Sequence, residues 1–215
     1  VPSHYMQGKV ITNPNLLNII DAQINQIEQK PEKTDLMIAA NEGDVENVKK
    51  YLHQAKQQTS YGWTALMHAA WHTHFAHPRE ALEIIQLLSS EYGMKDQEGK
   101  TALMYAIEET HWKGIALLLD ELTIQDNDGR TALMQLFDES FGYLGEKTSE
   151  PFIAKMIEKE ATIVDNDGKS ALDYFLDSNE GEPIKDTITK LNLQLLIDLS
   201  VNISERIDEA KALLQ

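Results

Sequence analysis

Apolar residues recur along the chain in two kinds of block that alternate. The first block reads Gly-x-Thr-Ala-Leu-Met or a close variant, and its copies begin at Gly62, Gly99, Gly129 and Gly168, with a degenerate copy at Thr34. The second block is a short apolar run after each copy, at residues 48–52, 84–88, 115–119, 153–157 and 193–197. The pattern predicts five pairs of short helices.

The copies are spaced like the units of a stacked-repeat protein. From Thr34 the equivalent positions are Thr64, Thr101, Thr131 and Ser170, at intervals of 30, 37, 30 and 39 residues. The glycine is suited to a positive φ in the turn before the helix, the threonine is a good N-cap, and the leucine is expected to point into the stack. Self-similarity at such a period predicts a solenoid, and the uneven intervals indicate a natural, diverged array.

The motif resembles the ankyrin repeat, whose first helix opens with Gly-x-Thr-Pro-Leu-His. The acidic runs at 96–99, 126–129 and 165–168 match the β-turn before each helix pair of that family. The resemblance implies an all-α solenoid with short β-turn fingers. Its five repeats would span about 34–61, 62–95, 96–125, 126–164 and 165–203.

The chain departs from the family motif at two positions. Alanine stands in place of proline in the four copies that begin with glycine. Methionine stands in place of histidine at Met37, Met67, Met104 and Met134, and Asp173 does so in the last copy. We expect the hydrogen bonds of that histidine to be lost and the flexible methionine to fill the space.

Further helices are predicted at both ends of the array. In residues 1–33, Asn13-Pro14 is typical of a helix start, and apolar residues then recur at helical spacing, at Leu16, Leu17, Ile20, Ile24 and Ile27. We expect this helix to cap the first repeat, as the ends of solenoids require. A helix that docks on an adjacent domain is the alternative. Residues 204–215, with Ser204 as N-cap, predict a C-terminal capping helix.

Composition narrows the function classes. The 215 residues carry a net charge of −16 and no cysteine. Most of the negative charge lies in residues 101–215, which contain 23 acidic and 10 basic residues. Such a chain is repelled by nucleic acid and by anionic membranes, so a basic protein is the expected partner. There is no apolar run long enough to span a bilayer and no visible signal peptide, so we expect a cytoplasmic monomer.

Residues that could carry chemistry are few. The cluster His68, His72, His74 and His77 is the best candidate for zinc, but no carboxylate with recognisable ligand spacing lies near it, and we expect no metal and no cofactor. The Asp-Asn-Asp-Gly runs lack the glutamate that closes a calcium loop, so they are interpreted as turns. No nucleophile or phosphate-binding motif is present, so we expect no catalytic residues and no enzyme activity.

The resemblance implies that partners meet the turn tips and the inner face of the first helices. Mapped through the motif, the predicted contact residues are Tyr61, Trp63, Trp71, His72, Lys100, Glu108, Glu109, Arg130, Asp138, Glu139, Lys169 and Asp177. The aromatic residues among them are either binding anchors or covers for neighbouring repeats. The acidic residues form a row that is either net acidic or neutralised by the turn-tip cations Lys100, Arg130 and Lys169.

These features together predict a non-catalytic module that binds a basic peptide or protein on an acidic concave face with an aromatic end. One alternative is a regulatory or targeting segment of a larger multidomain enzyme such as a kinase. A metal-binding protein that uses the cluster from His68 to His77 is a second alternative.

Overall fold

The computed structural model describes residues 5–6, 9–10, 32–72, 78–109, 111–139, 150–178, 190–200 and 206–214. Two short strands, β1 (Tyr5–Met6) and β2 (Lys9–Val10), pair antiparallel near the start of the chain. The helices of the described part are α1 (Asp35–Glu42), α2 (Val45–Tyr51), α3 (Ala65–His72), α4 (Pro78–Leu87), α5 (Ala102–Glu108), α6 (Trp112–Leu117), α7 (Ala132–Glu139), α8 (Glu150–Glu160), α9 (Ala171–Ser178), α10 (Lys190–Ser200) and α11 (Ile207–Ala212).

The helices stack in two layers. The first helices of the pairs, α1, α3, α5, α7 and α9, each contact the next in chain order, and α9 contacts α11. In the other layer α2, α4 and α6 contact in order, and α8 contacts α10. The motif leucine of every copy is completely buried between the layers, at Leu36, Leu66, Leu103, Leu133 and Leu172. The predicted all-α solenoid is confirmed.

The helix starts show what methionine does where the family has histidine. In repeats one, two and four the N-cap threonine accepts a hydrogen bond from the methionine N–H, as between Thr64 Oγ1 and Met67 N at 3.2 Å. The thioether in turn lies 3.4 Å from the threonine N–H. In repeat five Asp173 accepts from both the N–H and the hydroxyl of Ser170. The position therefore closes a capping box within its own repeat, and the buried methionine fills the core.

Three buried glutamates join neighbouring repeats. The Glu121 carboxylate accepts from Leu103 N at 2.7 Å, in the first turn of α5, and from Gly93 N at 2.9 Å, at the end of the preceding repeat. Glu91 and Glu160 make the equivalent pairs of bonds in repeats two and four. Burial raises the pKa of all three carboxyl groups, against the opposing effect of the N–H donors. Each glutamate thus satisfies a helix start that the stack would otherwise leave without a partner.

The turn before each first helix forms a short finger, and neighbouring fingers are joined by backbone hydrogen bonds. Gln97 N donates to Tyr61 O at 3.0 Å, Asn127 N to Glu98 O at 2.9 Å, and Asn166 N to Asp128 O at 3.0 Å. The motif glycines have φ near +80°, and those at 62, 99 and 129 leave no room for a side chain: a Cβ on Gly129 would lie 2.6 Å from the side-chain oxygen of Asn166. Only at Gly168, in the last finger, does the same position face no described atom within 4 Å.

Gly129→Ala is therefore expected to destabilise the protein more than Gly168→Ala. Both substitutions place a side chain at positive φ, which costs about 1–3 kcal/mol, but only the first also displaces the next finger. We expect Gly168→Ala to cost about 1 kcal/mol and Gly129→Ala at least about 1 kcal/mol more, measured by urea unfolding. Equal losses would show that the contact between fingers contributes nothing to stability.

The two ends of the chain were predicted as caps. The predicted helix within residues 1–33 falls mainly on residues 11–31, outside the described residues, and the hairpin of β1 and β2 has no counterpart in the prediction. At the other end α11 contacts α9 and α10, and its Ile207 and Ala210 are buried. The capping roles and the repeat boundaries stay predictions.

Candidate interaction surface

The fingers and the exposed sides of the first helices together are called the groove face. Side chains of the fingers reach the ends of those helices. Lys100 Nζ lies 2.6 Å from Glu108 Oε1, Arg130 Nη2 lies 2.5 Å from Asp138 Oδ2, and Lys169 Nζ lies 3.1 Å from Asp177 Oδ2. In each pair the cation comes from the finger and the carboxylate from the end of the first helix, eight residues later. Six predicted contact residues thus form three ion pairs, one in each of repeats three to five.

The three ion pairs leave the groove face acidic. Each of these repeats has one finger cation and at least three carboxylates, which in repeat three are Asp96, Glu98, Glu108 and Glu109. Glu109 has no ion-pair partner among the described residues, and the side chain of Glu139 lies outside them. At the far end Arg206 also pairs with Asp177, and the two cations hold the pKa of Asp177 below its usual value although burial opposes this. The finger cations therefore neutralise only part of the negative charge of the acidic row.

Two tyrosines that the sequence analysis missed tie the fingers to the first helices. Tyr105 donates its hydroxyl to Asp96 Oδ2 at 2.5 Å, and Tyr174 donates to Asp165 Oδ2 at 2.7 Å. Burial and the adjacent carboxylate raise the pKa of both phenols, so both stay protonated donors. The signal was available: six residues after the motif glycine stand only side chains with polar atoms, namely His68, Tyr105, Gln135 and Tyr174.

That motif position also connects repeats. Gln135 Nε2 in α7 donates to Glu108 Oε1 in α5 at 2.7 Å, and the guanidinium of Arg130 lies 5.0 Å from the centre of the Tyr174 ring in the next repeat. A cation over an aromatic face is an attractive contact. The polar groups of repeats three to five therefore form a connected network rather than a set of free charges.

Aromatic rings meet at the end of the groove face in repeats two and three. The Trp63 ring centre lies 4.4 Å from that of Tyr105, 5.0 Å from His68 and 5.9 Å from Trp71, and Trp71 lies 5.7 Å from Tyr105. We call these four rings the aromatic cluster. Trp63 and Trp71 are partly buried and Tyr105 is 5% exposed, so the tryptophans both cover the next repeat and show part of their surface. Such centroid distances are typical of attractive ring pairs.

A pocket opens beside the aromatic cluster, between α1, the second finger and α3. Its volume is about 780 Å³, and its lining residues are Glu32, Lys33, Ile38, Thr59, Tyr61, Trp63 and His68. Tyr61 is 71% exposed and Ile38 is 42% exposed. Of these residues only Tyr61 and Trp63 were predicted contacts. Ile38 is an ordinary apolar residue of a repeat helix in the sequence, so only the fold shows that it lines the pocket.

Most of the candidate metal-binding side chains lie outside the described part of the chain. No group of three or more His, Cys, Asp or Glu side chains there is arranged to hold a metal ion. His74, His77 and the side chain of His72 lie outside the described residues. The acidic runs are turns: Asp126 Oδ1 accepts from the backbone N–H groups of Asp128 and Arg130, and Asp165 Oδ1 from those of Asp167 and Lys169.

Stacked helix pairs joined by hydrogen-bonded fingers define the class of repeat proteins that present an extended surface. Residues 10–78 and 73–140, more than half of the chain, match the family described as ankyrin repeats (3 copies). The chain belongs to the ankyrin repeat family. The comparison with curated proteins finds no relative.

Ankyrin repeats are in general modules for protein–protein interaction and bind protein partners; the family is generally non-catalytic. Across the described residues, no helix has both the length and the apolar character to span a bilayer.

Proposed function

We propose that this chain is a non-catalytic interaction module that holds a basic peptide or protein on the concave side of the stack. The observation that carries the proposal is the arrangement of the groove face. An aromatic end, with Tyr61 exposed and Trp63 partly buried, is followed by three acidic repeats. Aromatic side chains are frequent binding anchors, and opposite charge gives a partner its orientation and speed of association.

The ion pairs within the repeats indicate which carboxylates are available to bind a partner. Glu108, Asp138 and Asp177 are held by cations of their own repeats, so they contribute mainly to the shape of the groove. Glu98, Glu109 and Asp128 are less restrained: Glu98 is 72% exposed at a distance of 3.6 Å from Lys100. The carboxylates of this second group are therefore the ones expected to form ion pairs with lysine and arginine side chains of a partner.

The spacing of the repeats suggests a probe. Stacked helices lie about 8–10 Å apart, which is about three residues of an extended peptide or about five to seven residues of a helix. Synthetic peptides with arginine at every third or every seventh position test the extended and the helical ligand. Peptides with glutamate at those positions are the negative controls.

Removal of three groove carboxylates is expected to slow association with the arginine peptides. The triple variant Glu98→Gln, Glu109→Gln, Asp128→Asn should bind about threefold more slowly or worse at low salt, with a weaker salt dependence, because steering scales with the local field. Its matched control is Glu46→Gln, Asp120→Asn, Glu158→Gln, which changes the net charge equally at exposed positions of α2, α8 and the turn after α6.

Stopped-flow fluorescence at several salt concentrations measures both variants. An equal effect of the two triple variants would show that the net charge acts, not the groove face. Binding of the glutamate peptides with equal affinity would contradict the basic partner. The monomeric state and the cytoplasmic location stay predictions from the sequence.

A further inference from the structure

The pocket beside the aromatic cluster differs in chemistry from the rest of the groove face. Within the described residues only three large hydrophobic side chains are exposed, namely Ile38, Tyr61 and Val164, and the first two line this pocket. The charged residues on its edge, Glu32 and Lys33, have opposite signs. The pocket therefore has no preference for a cation, whereas the acidic repeats have one. Its exposed surface is suited to an apolar side chain.

The pocket is continuous with the acidic repeats through Trp63. One side of Trp63 lines the pocket, and its ring packs on Tyr105 of repeat three. Tyr105 in turn lies below Lys100, whose ammonium group is 5.8 Å from the ring centre and pairs with Glu108. A single extended chain that runs along the fingers would therefore pass from the pocket to the first acidic repeat within one repeat spacing.

We infer that this pocket binds an apolar anchor side chain, such as leucine or phenylalanine, of the same peptide whose cations contact repeats three to five. The inference rests on the proposed function for the identity of the peptide. Since one repeat corresponds to about three extended residues, the anchor lies about three to six residues from the first arginine or lysine. The partner is thus a peptide with two parts, one apolar and one basic, rather than a uniformly basic tail.

The first test compares peptides that differ only in the anchor. An extended peptide with arginine at every third position is made with leucine three or six residues before the first arginine, with leucine at the other end, and with serine in its place. We expect one leucine peptide to bind about tenfold more tightly than the serine peptide, since burial of a leucine side chain is among the larger apolar contributions. Equal affinities of all peptides would overturn the inference and leave the basic partner standing.

The variants keep the charge of the protein unchanged. Ile38→Ser combined with Tyr61→Ser removes the two exposed apolar side chains of the pocket and should abolish the advantage of the leucine peptide over the serine peptide. Val164→Ser removes the third exposed apolar side chain, in repeat five, and should preserve the advantage. Loss of the advantage in Val164→Ser alone would overturn the inference.

A second probe tests the pocket without any basic peptide. N-acetyl-leucinamide at millimolar concentration should shift the indole N–H resonance of Trp63 in the intact chain, and not that of Trp112. The shift should disappear in the Ile38→Ser, Tyr61→Ser variant. Failure of the arginine peptides together with this shift would reject the proposed basic ligand and keep the pocket. Absence of the shift in the intact chain would mean that the pocket does not accept an apolar side chain, and would overturn the inference.

Discussion

Glu121→Ala is expected to destabilise the protein by about 3 kcal/mol or more. The carboxylate is 1% exposed and accepts from Leu103 N and Gly93 N. Hydrogen bonds to charged groups contribute about 1.5–3 kcal/mol each, and their loss leaves the buried Leu103 N–H and the partly buried Gly93 N–H without a partner. Because the two donors belong to neighbouring repeats, the substitution weakens both the start of α5 and its junction with the preceding repeat. Urea unfolding followed by circular dichroism measures the loss.

The control for this substitution is the residue before it. Asp120→Ala removes an exposed carboxylate from the same turn, and surface substitutions of this kind change the free energy of unfolding by about 0.5 kcal/mol or less. A comparable loss in both variants would indicate that the turn, not the buried carboxylate, is the sensitive element.

The pH dependence of Glu121→Gln gives an independent check. Burial raises the pKa of Glu121 in the folded state, so above the pKa of the unfolded state, near 4.5, the folded protein binds more protons than the unfolded one. The contribution of Glu121 to stability therefore falls as the pH rises toward its folded pKa. The stability advantage of wild type over Glu121→Gln should be largest near that lower limit and shrink with increasing pH. A widening advantage would mean that the charged form is the favoured one.

The sequence predicted those parts of the fold that depend on neighbouring residues. The glycine, the N-cap threonine and the buried leucine act within one turn of helix, so their spacing alone defines the repeat, as at Gly62, Thr64 and Leu66. The turn-tip cations were equally accessible, because Lys100 and Glu108 lie in the same repeat. The family then follows from repetition of local patterns.

The residues that sequence reasoning missed act across repeats. Glu121 reaches donors 18 and 28 residues away, and in the sequence it is one of many acidic residues in a loop. Ile38 belongs to repeat one and Tyr61 to the next finger, and only the register of the stack places them at one pocket. The uneven repeat length, from 30 to 39 residues, conceals that register. The tryptophans were found but not assigned to a role, since covering a neighbour and contacting a partner require the same residue type.

Trp63 and Trp112 are both partly buried, so a comparison of the two distinguishes packing against a neighbouring repeat from contact with a partner. Trp63 belongs to the aromatic cluster, whereas Trp112 in α6 stacks on Phe152 with ring centres 5.9 Å apart. Both are partly buried and pack against the core. Replacement of either by alanine is expected to destabilise the fold by about 2–3 kcal/mol, at or below the range for fully buried aromatic residues because part of each ring is already in water.

Trp63→Ala alone should also weaken the leucine-containing arginine peptide, by about 2 kcal/mol or more, or roughly thirtyfold, as expected for an aromatic anchor at an interface. Trp112→Ala lies on the other layer of helices and should leave that affinity unchanged. Isothermal titration well below both unfolding midpoints keeps the loss of stability from affecting the result. Trp63→Phe, which keeps a ring against Tyr105, should recover part of the affinity. If Trp63→Ala and Trp112→Ala change the affinity equally, Trp63 serves only the stack, and the aromatic end of the groove face is not a binding site.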